Sequence, residues 1–205
     1  MSGIAKTPVD RPLWLGPEGF EGDEQGDRKL HGGPEKAVHH YAAEHYPVWR
    51  GELGALPALG IAGGFGENLS TTGLTEATVA VGDIFRLGTA LIQVSQGRQP
   101  CWKLNRRFGI ADMAARVQKT GRTGWYYRVL ETGTVAPSDT MTLIDRAAPD
   151  WTLHRLWRVF YIDRLNRGEL AAMAELGVLS EGWRYRAARR LQSGRVEDWT
   201  ARLEG

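Results

Sequence analysis

An α+β fold, mainly β, with a helical tail is what this sequence predicts, on three observations. Short runs of β-branched and large apolar residues alternate with Gly, Pro and Asp turns up to about residue 147, which favours a barrel or sandwich. Two stretches with apolar residues at helical spacing interrupt those runs. From Trp151 onward helical spacing takes over entirely.

Taken in order, residues 35–49 follow Pro34 and carry Ala37, Val38, Tyr41, Ala42 and His45, an i, i+4 stripe that predicts a first helix. Residues 78–81, 84–87 and 90–95 read as three short strands separated by Gly82-Asp83 and Gly88, which is hairpin spacing. Ile110, Met113, Ala114 and Val117 predict an amphipathic helix over 105–119, stopped by Gly121. Two more strands are expected at 125–130 and 141–146, divided by Glu131-Thr132-Gly133 and Pro137-Ser138-Asp139. The tail then holds three short helices, around Leu153 to Phe160, Leu170 to Leu176 and Trp183 to Leu191. Gly168 and Gly177 to Ser180 break them, Ser180 is a fitting N-cap for the third, and Trp199 and Leu203 extend a terminal segment. The division this implies is 1–147 for the β part and 148–205 for the helical part.

At 42% hydrophobic and 24% charged residues, a chain of 205 residues can bury a core as one domain with a satellite or as two small ones. With one cysteine no disulfide forms within the chain, no charged-then-apolar leader opens it, and no apolar run approaches the roughly 20 residues that span a bilayer. A cytoplasmic protein without a membrane partner is expected. The net charge of +2 is too small to argue for nucleic acid. Basic residues do cluster between Arg98 and Arg128, where eight Lys or Arg accompany one acid, Asp112. In the tail, ten basic residues against eight acidic ones from Asp150 on leave its tryptophans reading as core, so no stable nucleic-acid partner is expected.

No P-loop, dinucleotide-binding fingerprint or nucleophile elbow occurs, which removes motif support for nucleotide hydrolysis, dinucleotide binding and serine hydrolysis. Gly63-Gly64-Phe65-Gly66 is a glycine-rich loop without a lysine, either a set of tight turns or a cradle of N–H groups for an oxyanion. Histidines 39, 40 and 45 with Glu44 crowd the predicted first helix, but His40 and Glu44 share a face while His45 falls well round from both, which disfavours zinc. His31, between Leu30 and Gly32-Gly33, is either a loop-tip hydrogen-bonding group or a proton donor near neutral pH. Cys101 sits between a predicted strand and a predicted helix, near Arg98, Lys103, Arg106 and Arg107. It is either buried packing or a soft-metal ligand, favoured as a thiolate by those cations and by the helix N-terminus.

The run Ser95-Gln96-Gly97-Arg98-Gln99-Pro100-Cys101-Trp102-Lys103 resembles the cysteine signature of the MOSC family, the molybdenum cofactor sulfurase C-terminal domain. Gly22-Asp23-Glu24-Gln25-Gly26-Asp27, His31-Gly32-Gly33 with Ala37 and Tyr41, and Gly66-Glu67-Asn68-Leu69 are similar, in order and spacing, to a bacterial subgroup of that family whose MOSC domain precedes a small three-helix domain. The resemblance implies a MOSC-type β-barrel with inserted helices, followed by that helical domain. Relatives carry an extra strand ahead of Ile4-Ala5-Lys6, so an edge here needs pairing or covering, and they tend to have Pro at the position of Gly97.

It further implies a molybdenum cofactor, a pyranopterin dithiolene bearing a phosphate, with Cys101 as the metal ligand. Arg98, Lys103, Arg122 and Gln96 are then candidates for holding the cofactor, the arginines suiting phosphate best. Glu67 and Asn68 match pocket positions or else stabilise a turn; Asp23 and Gln25 line the substrate side or form a solvated acidic turn; Lys6 is a pocket residue or an ordinary exposed lysine. The expected activity is reduction of N-hydroxylated compounds such as 6-hydroxylaminopurine from N–OH to N–H, with His31 or Lys6 giving a proton. No iron–sulfur or flavin signature occurs in the chain, so a separate reductase must supply the electrons. The other readings are a cofactor carrier or sensor without turnover, and a metal-free enzyme with Cys101 as nucleophile and His31 as base. A homodimer is the oligomer considered.

Overall fold

The computed structural model describes residues 4–23 and 33–205. Its centre is the predicted hairpin. Strand β4 (Ile84–Leu87) pairs antiparallel with β5 (Ala90–Gly97). Gly88 makes the turn at φ 56°, where a Cβ would stand 2.3 Å from the Thr134 carbonyl oxygen. Glycine is required there on both counts.

Strand β6 (Trp125–Glu131) pairs with β5, β3 (Val38–His40) with β6, and β8 (Met141–Asp145) with β4, giving a sheet of order β3-β6-β5-β4-β8. Beside it lies a small sheet of order β2-β1-β7, from β1 (Leu13–Gly16), β2 (Gly19–Phe20) and β7 (Gly133–Val135). The expected closed barrel is not formed among the described residues. The two edge strands, β3 and β8, do not pair with each other. Along β3 the edge is capped by a loop, with Asn68 and Leu69 N–H groups donating to the His39 carbonyl and Tyr41 N–H to that of Leu69, at 2.8–3.0 Å. An edge satisfied this way has no reason to close further.

The helix expected over 35–49 is a second correction. A 3-10 turn (Pro34–Lys36) leads into β3, and the helix α1 spans only His45–Leu53. Residues 37–42 are buried on every side, whereas one helical stripe would bury a single face. The helix expected over 105–119 is two, α2 (Lys103–Phe108) and α3 (Met113–Thr120). Gly109, left-handed at φ 67°, stops the first, and Asn105 Oδ1 accepts the Ala114 N–H at 2.8 Å to start the second. Gly121 ends α3 as expected, at φ 76°. Residues 78–81 are not a strand either; they touch the tail through single bonds, Val81 N–H to Trp151 O and Leu153 N–H to Val79 O, both 2.9 Å.

The tail folds as α4 (Leu153–Trp157), which widens into a π turn (Arg158–Ile162), then α5 (Arg167–Ala174), α6 (Glu181–Ser193) and the short α7 (Thr200–Leu203). Thr152 and Asn166 side chains cap α4 and α5 by accepting N–H groups at 3.1 and 3.2 Å. Ser180 occupies the N-cap of α6, yet its hydroxyl makes no capping bond; its N–H instead donates to Ser95 O of β5 at 2.9 Å. One hydrophobic core runs through both parts, from Leu15, Phe85, Ile92 and Trp125 to Leu156, Phe160 and Trp183. Trp183 lies against Gly97, where an added Cβ would be 3.1 Å from its ring. A second cluster, with Tyr41, Trp49, Phe65 and Leu104, underlies the glycine loop and the segment after Cys101. No helix among the described residues is long and apolar enough to cross a membrane.

Candidate functional site

Two groups of predicted residues emerge, on either side of the glycine loop 63–66. The first lines a cavity of about 770 Å³. At its polar end Lys6 Nζ donates to Asp23 Oδ2 at 2.7 Å, and Asn68 Nδ2 donates to the same oxygen at 2.7 Å. Asn68 is itself anchored, its Oδ1 accepting the His39 N–H at 2.9 Å. Burial lowers the Lys6 pKa, with the Asp23 carboxylate opposing it. The remaining wall is largely apolar, with Leu13, Phe20, Leu87, Val135 and Met141. A volume of this size suits a small organic ligand.

Glu67 also borders the cavity, but its carboxylate is committed. Oε1 accepts the Tyr46 hydroxyl at 2.5 Å and the Gly63 N–H at 2.8 Å, while Oε2 accepts the Phe65 N–H at 3.0 Å. It therefore shapes the glycine loop from within. That loop needs small residues for packing: a Cβ on Gly64 would stand 1.9 Å from the Ala58 carbonyl oxygen.

Behind the loop lies the second group. Arg98 is 6% exposed; its Nη2 donates to Phe65 O at 3.1 Å, its N–H donates to Gly124 O at 3.0 Å, and its Nη1 is buried without a partner. Cys101 is a free thiol, 9% exposed. Tyr126 lies between them electrostatically: burial raises its pKa, the Arg98 charge opposes that and Cys101 reinforces it. Gln96 is buried on β5 opposite Tyr126, and Lys103 opens α2, half-buried. Because α2 stops after six residues, the helix field at Cys101 is that of a short helix.

His39 connects the two groups. Burial and the Arg98 charge hold its pKa well below the usual histidine range, and its Nε2 is buried without a partner. A histidine at the junction was not legible from sequence, where it counted as one of a helical cluster; His39 and His40 lie on β3, and His45 on α1 pairs with Glu76 at 2.7 Å. Arg122 is not brought to Cys101. Its guanidinium lies 3.7 Å over the Trp49 ring and donates to both Glu52 oxygens at 2.8 and 2.9 Å. His31 and Gln25 lie outside the described residues. Cys101 is not among the described residues that line the cavity.

The donor set behind the loop fits a metal cofactor carrying an anionic group. A thiol is a soft-metal ligand, and a buried guanidinium with an unused N–H is an orphan that an oxyanion would satisfy. A buried arginine with a free donor, three residues before the sole cysteine of the chain and near a ligand-sized cavity, is the arrangement that comparison with known proteins places in a family. Residues 27–142 match the MOSC domain and residues 151–194 the YiiM-like 3-alpha helix domain.

The chain belongs to the MOSC domain family, in the branch that carries this helical extension. It is 43% identical over 204 residues to protein YiiM of Escherichia coli, covering all of this chain and 91% of that protein. A protein of Gibberella moniliformis named reductase is 40% identical over 176 residues, although the chain spans only 31% of its length. Among solved structures, Escherichia coli YiiM superposes with a TM-score of 0.89 at 40% identity, covering 98% of this chain and 94% of that one, and Geobacillus stearothermophilus YiiM with 0.82 at 35%, covering 92% and 89%.

Proposed function

We propose that this chain is a molybdenum-cofactor-dependent reductase of N-hydroxylated compounds, such as 6-hydroxylaminopurine, converting N–OH to N–H with electrons from a separate reductase. The observation that carries the proposal is the unpartnered, buried Nη1 of Arg98, a residue that acts on the Tyr126 hydroxyl together with the sole cysteine, Cys101. Cys101 would hold the metal, and Arg98 with Gln96 and Lys103 the anionic and polar parts of the cofactor. When bound, such a centre supplies the two-electron chemistry that removes a hydroxyl oxygen.

The chain's own residues do the rest. Leu13, Phe20, Leu87 and Met141 offer apolar walls to a flat heterocycle. Asp23, oriented by Asn68, fixes Lys6, whose ammonium holds a proton that burial makes easier to give up. A carrier without turnover is the second reading, favoured by one observation: Cys101 is absent from the described cavity wall.

The test is molybdenum content by elemental analysis of protein from a cofactor-competent host, wild type beside Cys101→Ser, followed by a 6-hydroxylaminopurine reduction assay. Near-stoichiometric metal lost in the variant, with turnover by the wild type, is expected. Metal without turnover would favour the carrier, and equal metal in both proteins would overturn Cys101 as ligand.

A further inference from the structure

The residues around Cys101 are held by a part of the chain 101 positions later. Arg202 on α7 engages both neighbours of the cysteine: its carbonyl accepts the Trp102 N–H at 2.8 Å, and its Nη1 donates to the Pro100 carbonyl. Its Nη2 reaches across to Gln118 Oε1 of α3 at 2.5 Å. One residue on, the Leu203 carbonyl accepts Asn105 Nδ2 at 2.8 Å. The guanidinium is largely enclosed, 5.9 Å from the rings of both Tyr161 and Trp199 in the helical part.

We infer that Arg202 is a positioning residue for Cys101, and that α7 is thereby a structural component of the cofactor pocket. The inference rests on Cys101 being the metal ligand. A thiol between two peptide groups that are both tied down is preorganised, since rotating the Pro100 to Trp102 segment would break two bonds to the same residue. Arginine suits the task because its planar fork satisfies Pro100 O and Gln118 Oε1 together, where a lysine would be a single point donor. The arrangement also gives the segment that follows the three-helix domain a structural role beside Cys101.

The test uses metal-free, full-length protein, so its outcome does not depend on cofactor loading or on turnover. Alkylation of Cys101 by N-ethylmaleimide, at one fixed pH, reads local opening of the segment. Arg202→Ala is expected to alkylate about ten- to a hundred-fold faster than wild type, the effect of losing two side-chain hydrogen bonds. Gln118→Ala should share part of that gain, and the double variant should fall short of the product of the two because they act as one unit. The thermal midpoint is followed in parallel: a merely structural arginine would move it in step with the alkylation rate, whereas a positioning one moves the rate far more. A wild-type rate in a folded Arg202→Ala protein overturns the inference. Should that variant not fold, amide exchange in the wild type decides, since Trp102 N–H must be protected comparably to Leu104 N–H, and free exchange at Trp102 overturns it equally.

Discussion

Replacing Glu67 by glutamine tests whether the glycine loop is shaped by one carboxylate. The side chain is 3% exposed and accepts three hydrogen bonds, two at Oε1 and one at Oε2. An amide keeps only one acceptor oxygen. If that oxygen serves Tyr46 and Gly63, the NH2 faces the Phe65 N–H, leaving a buried donor unsatisfied at a cost of about 1–3 kcal/mol. The surviving bonds lose their charge assistance, about another 1 kcal/mol. The sum, about 2–4 kcal/mol, corresponds to a fall in Tm of roughly 5–15 °C for a chain of this size. Thermal unfolding of metal-free wild type and Glu67→Gln followed by circular dichroism measures it. A Tm within about 2 °C of wild type would show that the loop keeps its shape without the carboxylate, and would refute the reasoning.

Two further predictions concern the core. Burial lowers His40 to about 3 from 6.5, and its ring nitrogens meet Tyr127 Oη at 3.0 Å and Thr71 Oγ1 at 2.9 Å. The unfolded chain therefore binds this proton first, so the stability it confers is complete above pH 6.5 and is lost as pH falls toward 3, by up to about 1.4 kcal/mol per unit. His39, lowered in the same direction, steepens the loss. Denaturant midpoints measured from pH 8 to pH 4 check this, and a flat profile would contradict it. Trp183→Ala empties a site that is 2% exposed and packs on Gly97 of the sheet and on Phe160 at 4.5 Å between rings. It should cost about 3–5 kcal/mol and lower one shared transition; a melt in which only helical signal moves, ahead of the sheet, would contradict the shared core.

What the sequence made legible was local. The β4–β5 hairpin, β6 and β8 are continuous runs bounded by turn residues, and their own composition announces them. The stop at Gly121 and the tail helices follow from equally short-range signals. Residues 38–40 were misread because a buried strand and a buried helix stripe look alike over so few positions, and the deciding partner, Trp125 to Tyr127, lies 85 to 89 residues away. The break at Gly109 did carry a signal, a glycine inside the apolar pattern. Of the residues in the proposed site, Cys101 and Arg98 stood out in the signature run and Lys6, Asp23 and Asn68 through resemblance. His39 and Arg202 were not, since their roles come from long-range hydrogen bonds and burial that no spacing encodes. Arg122 was a candidate because an arginine fork suits phosphate, and its contacts with Trp49 and Glu52 are likewise long-range and carry no sequence signal.

The continuous core has a consequence for how the protein is made. Translation delivers the sheet strands well before Trp151, Phe160 and Trp183, yet those side chains complete the sheet's packing and Ser180 supplies a bond to β5. A nascent chain that has reached residue 147 therefore exposes the apolar face of its central strands, and local hairpin contacts alone cannot cover it. The sheet must wait for α6 to leave the ribosome. During that interval the strand edges and the apolar face of the sheet are open to intermolecular pairing, a hazard that ends when the helical part docks.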